Sequence, residues 1–249
     1  MSQSVDRALV LLELLADGPK RLGPLAEELG THKSTVLRLL QTMEARGFVR
    51  RTGGEPQFEL GLRILELANV IVEELDVRSV ARPHIEKLAA DTGETVHLAT
   101  IDGGQVVYLD KVESIHPVRM YSRVGARAPV HCTGVGKAIV AYRDPTAWPD
   151  LDYHRFTDRT IGSRHELEQE AQRIRSRGYA RDEREHEDSI RCIAAPVFDS
   201  TNDPAAAISV SCPASRMSEK ALLSHVDDLR GAAAAITREL GGDPERLGR

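Results

Sequence analysis

Two short apolar stripes separated by a glycine organise the first third of the chain. Leu25, Ala26 and Leu29 mark the inner face of one helix. Gly30 ends it, as a residue able to take positive φ. Val36, Leu39, Leu40 and Met43 then recur at i, i+3, i+4 and i+7, the buried stripe of a second helix. Its opposite face carries Lys33, Ser34, Thr35, Arg38 and Gln41, side chains that reach base edges and phosphates. Two helices about a tight turn, the second polar outward, predict a helix-turn-helix. Before it, residues 4–15 form an amphipathic helix with Leu9, Leu12 and Leu15 among its apolar positions, stopped by Gly18 and Pro19. After it, residues 48–51 and 57–60 read as two strands about a Gly53-Gly54 turn, a hairpin placed as a wing.

Beyond Leu60 the pattern changes twice. Residues 62–75 are strongly helical and apolar around much of the circumference, so that helix needs more than one partner and reads as a linker that joins subunits. From Val77 helices and strands alternate. Residues 83–91 predict a helix closed by Gly93, and residues 95–101 and 105–112 predict strands about Asp102-Gly103-Gly104. A third strand is expected over 118–124 and a helix over 133–142 with Thr133 as N-cap. Ser163 and Glu166 form a capping box for a helix ending at Gly178. Residues 190–198 and 205–212 are strands, and Ser218 opens a last helix carrying Leu222, Val226, Leu229, Ala233, Ile236 and Leu240. The fold class is α+β: a DNA-binding domain over 1–60, a linker and dimerisation helix over 61–78, and a mainly antiparallel sheet with packed helices over 79–249.

Charge sharpens the division. The whole chain carries −5, yet between Thr31 and Thr52 Lys33, Arg38, Arg46, Arg50 and Arg51 face Glu44 alone. A basic reading face on an acidic body suits selective binding of double-stranded DNA over indiscriminate coating. The other reading is a helical hairpin that packs against a protein, with its charges solvated. No apolar run approaches membrane-spanning length, and Glu13 and Asp17 interrupt the apolar start, which reads as an amphipathic helix and not a signal peptide. Three cysteines without a CxxC pair suggest reduced thiols in a cytoplasm, with neither a disulfide framework nor a zinc ribbon.

Three constellations test for catalysis in the body. His131 and Cys132 are neighbours on an extended chain and point apart, so a packed cysteine and a hydrogen-bonded histidine are favoured over a nucleophile pair. The run Arg181 to Asp188 lacks HExxH spacing and its interleaved arginines suggest a solvated loop, with metal ligation the minority reading. The strand 205–212 puts Ala205, Ala207, Ser209 and Ser211 on one face. That all-small face with two hydroxyls leaves room for a bound molecule; the alternative is close packing of another element over it. Thr133-Gly134-Val135-Gly136-Lys137 opens a helix whose free N–H groups suit a carboxylate, and its spacing is not that of a P-loop.

These blocks together resemble the IclR family of bacterial transcriptional regulators over nearly the whole chain. SVDRAL at 4–9 resembles the family's opening and KSTVLRLL at 33–40 its recognition helix. GARAPVHCTGVGKA at 125–138, RCIAAPV at 191–197 and AISVS at 207–211 are similar to its sensor domain. The resemblance implies a winged helix-turn-helix, a linker helix and a GAF-like effector-binding domain. It implies homodimers, often paired into tetramers, on partly palindromic operators. Carried over by motif, Met120, Gly134, Val135, Asp182, Ile190, Cys192, Ser209 and Ser211 would form the effector site. Lys33, Ser34, Thr35, Arg38, Arg50 and Arg51 would meet DNA. Family effectors are commonly small organic acids, and the segment 119–123 looks closest to members that sense sugar-acid catabolites. Zinc in some members makes His131 and Cys192 remote ligand candidates; no cofactor is expected. The expectation is a ligand-responsive cytoplasmic regulator of a catabolic operon, a repressor in preference to an activator, against the rival of an enzyme with an appended DNA-binding domain.

Overall fold

The computed structural model describes residues 2–52, 57–67, 76–116 and 122–247, which fall into two compact units, Met1–Leu75 and Asp76–Arg249. The first unit runs α1 (Gln3–Ala16), β1 (Lys20–Arg21), α2 (Leu22–Glu28), α3 (Lys33–Ala45), β2 (Val49–Thr52) and β3 (Gln57–Leu60). The strands form an antiparallel sheet in the order β1-β3-β2. Leu11, Leu15, Leu25, Val36, Leu40, Val49 and Phe58 make the core, while Leu9 on α1 stays more than half exposed. Gly30 adopts φ +60° at the turn between α2 and α3. Gly61 N–H donates to the Phe48 carbonyl at 2.8 Å, and a Cβ on Gly61 would lie 2.1 Å from the Gly47 carbonyl oxygen. The chain leaving the wing therefore passes against the end of the recognition helix at a distance only glycine permits. Residues 63–67 are helical; the rest of the expected 62–75 helix and the Gly53-Gly54 turn lie outside the described residues.

The second unit is a six-stranded sheet with helices on both faces. Its elements are α4 (Asp76–Thr92), β4 (Thr95–Asp102), β5 (Gln105–Val112), β6 (Arg127–Ala128), α5 (Gly134–Val140), α6 (Arg164–Arg177), β7 (Ala180–Glu183), β8 (Ile190–Phe198), β9 (Pro204–Pro213), α7 (Glu219–Leu223) and α8 (Val226–Glu239). Strand order is β6-β5-β4-β9-β8-β7, antiparallel throughout. Ala206, Ile208, Val210 and Cys212 of β9 pack with Ile85 and Leu88 of α4 and Leu229, Ala233 and Ile236 of α8. Ala207 faces the other way, into the cluster of Val135 and Ile139 of α5 with Leu167 and Ile174 of α6. Covered on both faces, β8 and β9 read as near-continuous apolar runs.

Three expectations need correction. The helix expected from Pro83 begins at Asp76, with Pro83 inside it. Arg78 and Arg82 from that early part reach the buried Asp110 carboxylate of β5 at 3.5 and 3.0 Å, a tertiary anchor that outweighs the proline penalty. Of the strand expected over 118–124, residues 122–124 are not extended into the sheet; pairing starts past Gly125, whose φ is +81°, as the two-residue β6. The rest of that segment lies outside the described residues. The last helix is two: Ser224 Oγ donates to the Ala221 carbonyl at 2.7 Å and the helix restarts at Val226.

Candidate functional site

On the first unit, Val36, Leu40 and Met43 bury one side of α3, which leaves Lys33, Ser34 and Arg38 exposed and Thr35 half-buried. Lys33 and Arg38 make no ion pair among the described residues. The wing arginines differ. Arg50 Nε lies 2.5 Å from Glu59 across the hairpin, and Arg51 Nε lies 3.2 Å from Glu44 on α3 while its guanidinium covers the Phe58 ring at 5.3 Å. Arg51 thus ties the wing to the recognition helix.

In the second unit, pairing register assembles a wall. Asp182, Cys192, Ser211 and Thr95 stand opposite one another across β7, β8, β9 and β4. The next row on that face is Ala180, Ala194, Ser209 and His97. Directly opposed residues share a sheet face, so both rows look toward α5. The start of α5 closes on them because it carries glycine: a Cβ on Gly134 would lie 2.8 Å from Cys192 Sγ. Gly136 is equally constrained, with the Val130 carbonyl oxygen 2.5 Å from where its Cβ would be. The Gly136 N–H donates to the cap Thr133 Oγ1 at 3.3 Å, whereas the amides of Gly134 and Val135 have no acceptor within the helix.

Between wall and helix lies a cavity of about 200 Å³. Gly134, Val135, Asp182, Ile190, Cys192, Ser209 and Ser211 all line it; Met120 lies outside the described residues. The lining also includes His97, Tyr108, Ser122, Arg127, His186 and Glu187, which sequence reasoning missed. His97 had a usable signal, since its alternation along β4 puts it on the face that pairs with Ser209. The run after Arg181 is a solvated loop only at its end, where Glu187 and Asp188 are exposed: Asp182 is buried on β7, and Glu185 pairs with Lys137, itself fully buried on α5. The interleaved arginines pair with Glu219 (Arg181) and Asp188 (Arg184), while Arg159 and Arg191, from outside the run, both reach Glu183.

Burial sets the protonation of this lining. It pushes the Asp182 carboxyl up to about 7, against the Lys137 charge, which lowers it, and with the Glu185 charge, which raises it. Asp182 Oδ1 accepts from the Glu185 amide at 2.8 Å. Burial holds His97 neutral, down to about 3, with the Lys111 charge adding to the effect, and pushes the Cys192 thiol up to about 12. Neither is a poised base or a thiolate nucleophile. His131 Nε2 lies 3.0 Å from the His154 carbonyl oxygen and Cys132 is buried with its thiol raised, the packed arrangement expected for that pair. Among the described residues no three His, Cys, Asp or Glu side chains cluster to hold a metal, and no helix is long and apolar enough to cross a membrane.

Residues 4–53 match the IclR helix-turn-helix domain and residues 69–238 the bacterial transcriptional regulator IclR C-terminal domain. The chain belongs to the IclR family. It is 37% identical over 221 residues to the HTH-type transcriptional regulator KdgR of Dickeya chrysanthemi, covering 87% of this chain and 72% of that one. It is 32% identical over 248 residues to the transcriptional repressor IclR of Escherichia coli strain K12, covering 96% and 90%. An IclR homolog from Microbacterium hydrocarbonoxydans, solved in complex with 4-hydroxybenzoate, superposes with a TM-score of 0.83 at 25% identity over 96% of this chain and 99% of that one. The IclR-family chain is a DNA-binding transcriptional regulator, with a helix-turn-helix domain and a mixed helix-and-sheet effector domain.

The raised Asp182 carboxyl predicts a pH-dependent stability. Below about pH 4 the carboxyl is protonated folded and unfolded, and it costs nothing. As pH rises from there toward 7 the unfolded chain ionises first, so stability falls; above 7 the loss is complete. Asp182→Asn, which keeps an acceptor for the Glu185 amide, should therefore raise the melting temperature at pH 8, by up to a few kcal/mol of stability, and lose that advantage by pH 4. An equal effect at both pH values would contradict the assignment.

Proposed function

We propose that this regulator is a repressor of a catabolic operon that releases or tightens on its operator when a small organic acid occupies the cavity beside α5. The observation that carries the reading is the convergence of seven motif residues from α5, β7, β8 and β9 on one partly open, hydroxyl-bearing cavity. The amides of Gly134 and Val135 offer donors to a carboxylate. Ser209 and Ser211 add hydroxyls from the facing strand. Asp182 would repel a second anionic group unless it is protonated or accepts from a ligand hydroxyl, which favours a hydroxy- or oxo-acid over a fatty acid. The family member solved with 4-hydroxybenzoate supports an acid of this kind. Thermal-shift screening of such acids should find one that stabilises the protein and changes operator affinity. Ser209→Val with Ser211→Val should abolish both effects and spare DNA binding without ligand. A ligand that binds elsewhere would refute the placement.

For DNA, the exposed face of α3 enters the major groove and the wing grips the flanking backbone. Arg38→Ala should cost about 1–3 kcal/mol and relax base preference. Arg50→Ala should weaken binding to all sequences alike and flatten the salt dependence. Unchanged operator affinity in both variants would show that these faces do not touch DNA.

One helix-turn-helix buries little surface, and two copies on a two-fold site double the contacts. Leu62 and Leu65 are 67% and 58% exposed in the first unit, a face that a second copy, or a pair of dimers, would cover. Leu65→Asp should sediment as a monomer and bind the operator poorly. A wild-type protein that is monomeric at micromolar concentration would overturn the assembly.

A further inference from the structure

We propose that His97 selects the ligand, by reading an uncharged oxygen at the end of the cavity away from Asp182 and rejecting a carboxylate there. The inference rests on the reading of the cavity as an organic-acid site. His97 is 1% exposed and lies in the same cross-strand row as Ser209, one row along from Asp182 and Cys192. Its two ring nitrogens are unequally used. Nε2 lies 2.6 Å from Ser122 Oγ, a strong hydrogen bond. Nδ1 lies 3.4 Å from Ser209 Oγ, at the limit of a hydrogen bond, and Ser209 lines the cavity. The ring is held from the side by Tyr108, with centroids 5.0 Å apart. Nδ1 is therefore a buried, fixed polar atom on the cavity side whose one hydrogen bond, to Ser209, is long enough for a ligand oxygen to replace it.

The imidazole is neutral, for the reasons given above. One nitrogen donates and the other accepts, so Nδ1 accepts from a ligand hydroxyl or donates to a ligand carbonyl according to how the Ser122 pair is arranged. Neither state meets a carboxylate with positive charge. Two cations bear on this end and both are engaged: Lys111 donates to the Ser122 carbonyl at 2.7 Å and lies 2.9 Å from Glu113, and Arg127, which lines the cavity, donates to the Asp102 carbonyl at 2.9 Å and to its carboxylate at 2.6 Å. A dicarboxylate would bury its second charge at this end without a partner, whereas a hydroxyl or keto oxygen is matched.

Matched trios of acids that differ only at the far end test this. Suitable probes are 4-hydroxybutanoate, pentanoate and succinate; 5-hydroxypentanoate, hexanoate and glutarate; and 4-hydroxybenzoate, 4-methylbenzoate and terephthalate. Calorimetric titration of the full chain should show a hydroxyl-ended probe binding about tenfold tighter than both its partners. Two variants separate selection from scaffolding. The amide of Asn reaches the Nδ1 position and that of Gln the Nε2 position. His97→Asn should keep the hydroxyl preference, and His97→Gln, which retains the Ser122 contact, should reduce it to within about twofold, as should His97→Leu if it folds. A merely structural histidine would give the reverse order for Asn and Gln. Equal binding within every trio, or preference for the carboxylate-ended member, overturns the role of His97 and leaves the organic-acid reading standing. Failure of all nine probes to bind overturns both.

Discussion

The ammonium of Lys137 is the constraint around which the second unit is arranged. It sits on α5 with no exposed surface, so its charge has to be met inside the fold. Glu185 meets it, and the chain after β7 is bent to bring Glu185 there. Arg184, immediately before, adopts φ +64°, a conformation that a non-glycine residue holds only when its surroundings impose it. Thr157 and Thr160 impose it: their hydroxyls donate to the Arg184 carbonyl at 2.8 Å and the Glu185 carbonyl at 2.6 Å. Asp182, His186 and Glu187, on either side of that bend, reach the cavity as a consequence. The position of the acidic wall thus follows from one buried cation.

The opposite wall follows from backbone proximity. With Gly134 against Cys192 and Ala194, helix α5 lies directly on β8, and the space that remains is the one left by Ser209 and Ser211. Larger side chains in those rows would fill it. Small residues on the sheet and glycines on the helix serve opposite ends there: the glycines bring the elements together, and the small side chains keep a gap between them.

Much of this was readable in the chain because local chemistry and tertiary structure agree. Thr133 and Ser163 cap their helices, Gly178 ends one with φ +80°, and the two faces of β9 divide as period two requires. The seven described motif residues could be named, though their meeting in one space needs the strand register. What escaped depends on distant partners. Nothing near Pro83 announces that Arg78 and Arg82 are held by Asp110, so the local pattern places the start of the helix too late. Arg181 to Asp188 looks soluble by composition, and Lys137, far along the chain, shows why Asp182 and Glu185 go inside while Glu187 and Asp188 stay exposed. His97 is silent alone and informative once paired with Ser209.

The ion pairs on the wing bear on how DNA is gripped. Arg50 already faces Glu59, and Arg51 faces Glu44. A phosphate that takes either guanidinium has to displace a carboxylate. The gain is then a difference between two contacts of similar kind, and the displaced acid is left close to a polyanion. On the proposed reading such a wing would hold on weakly wherever the backbone runs at the wrong angle. It would act as a geometric gauge of the duplex, and Lys33 and Arg38, which make no ion pair among the described residues, would supply the plain attraction.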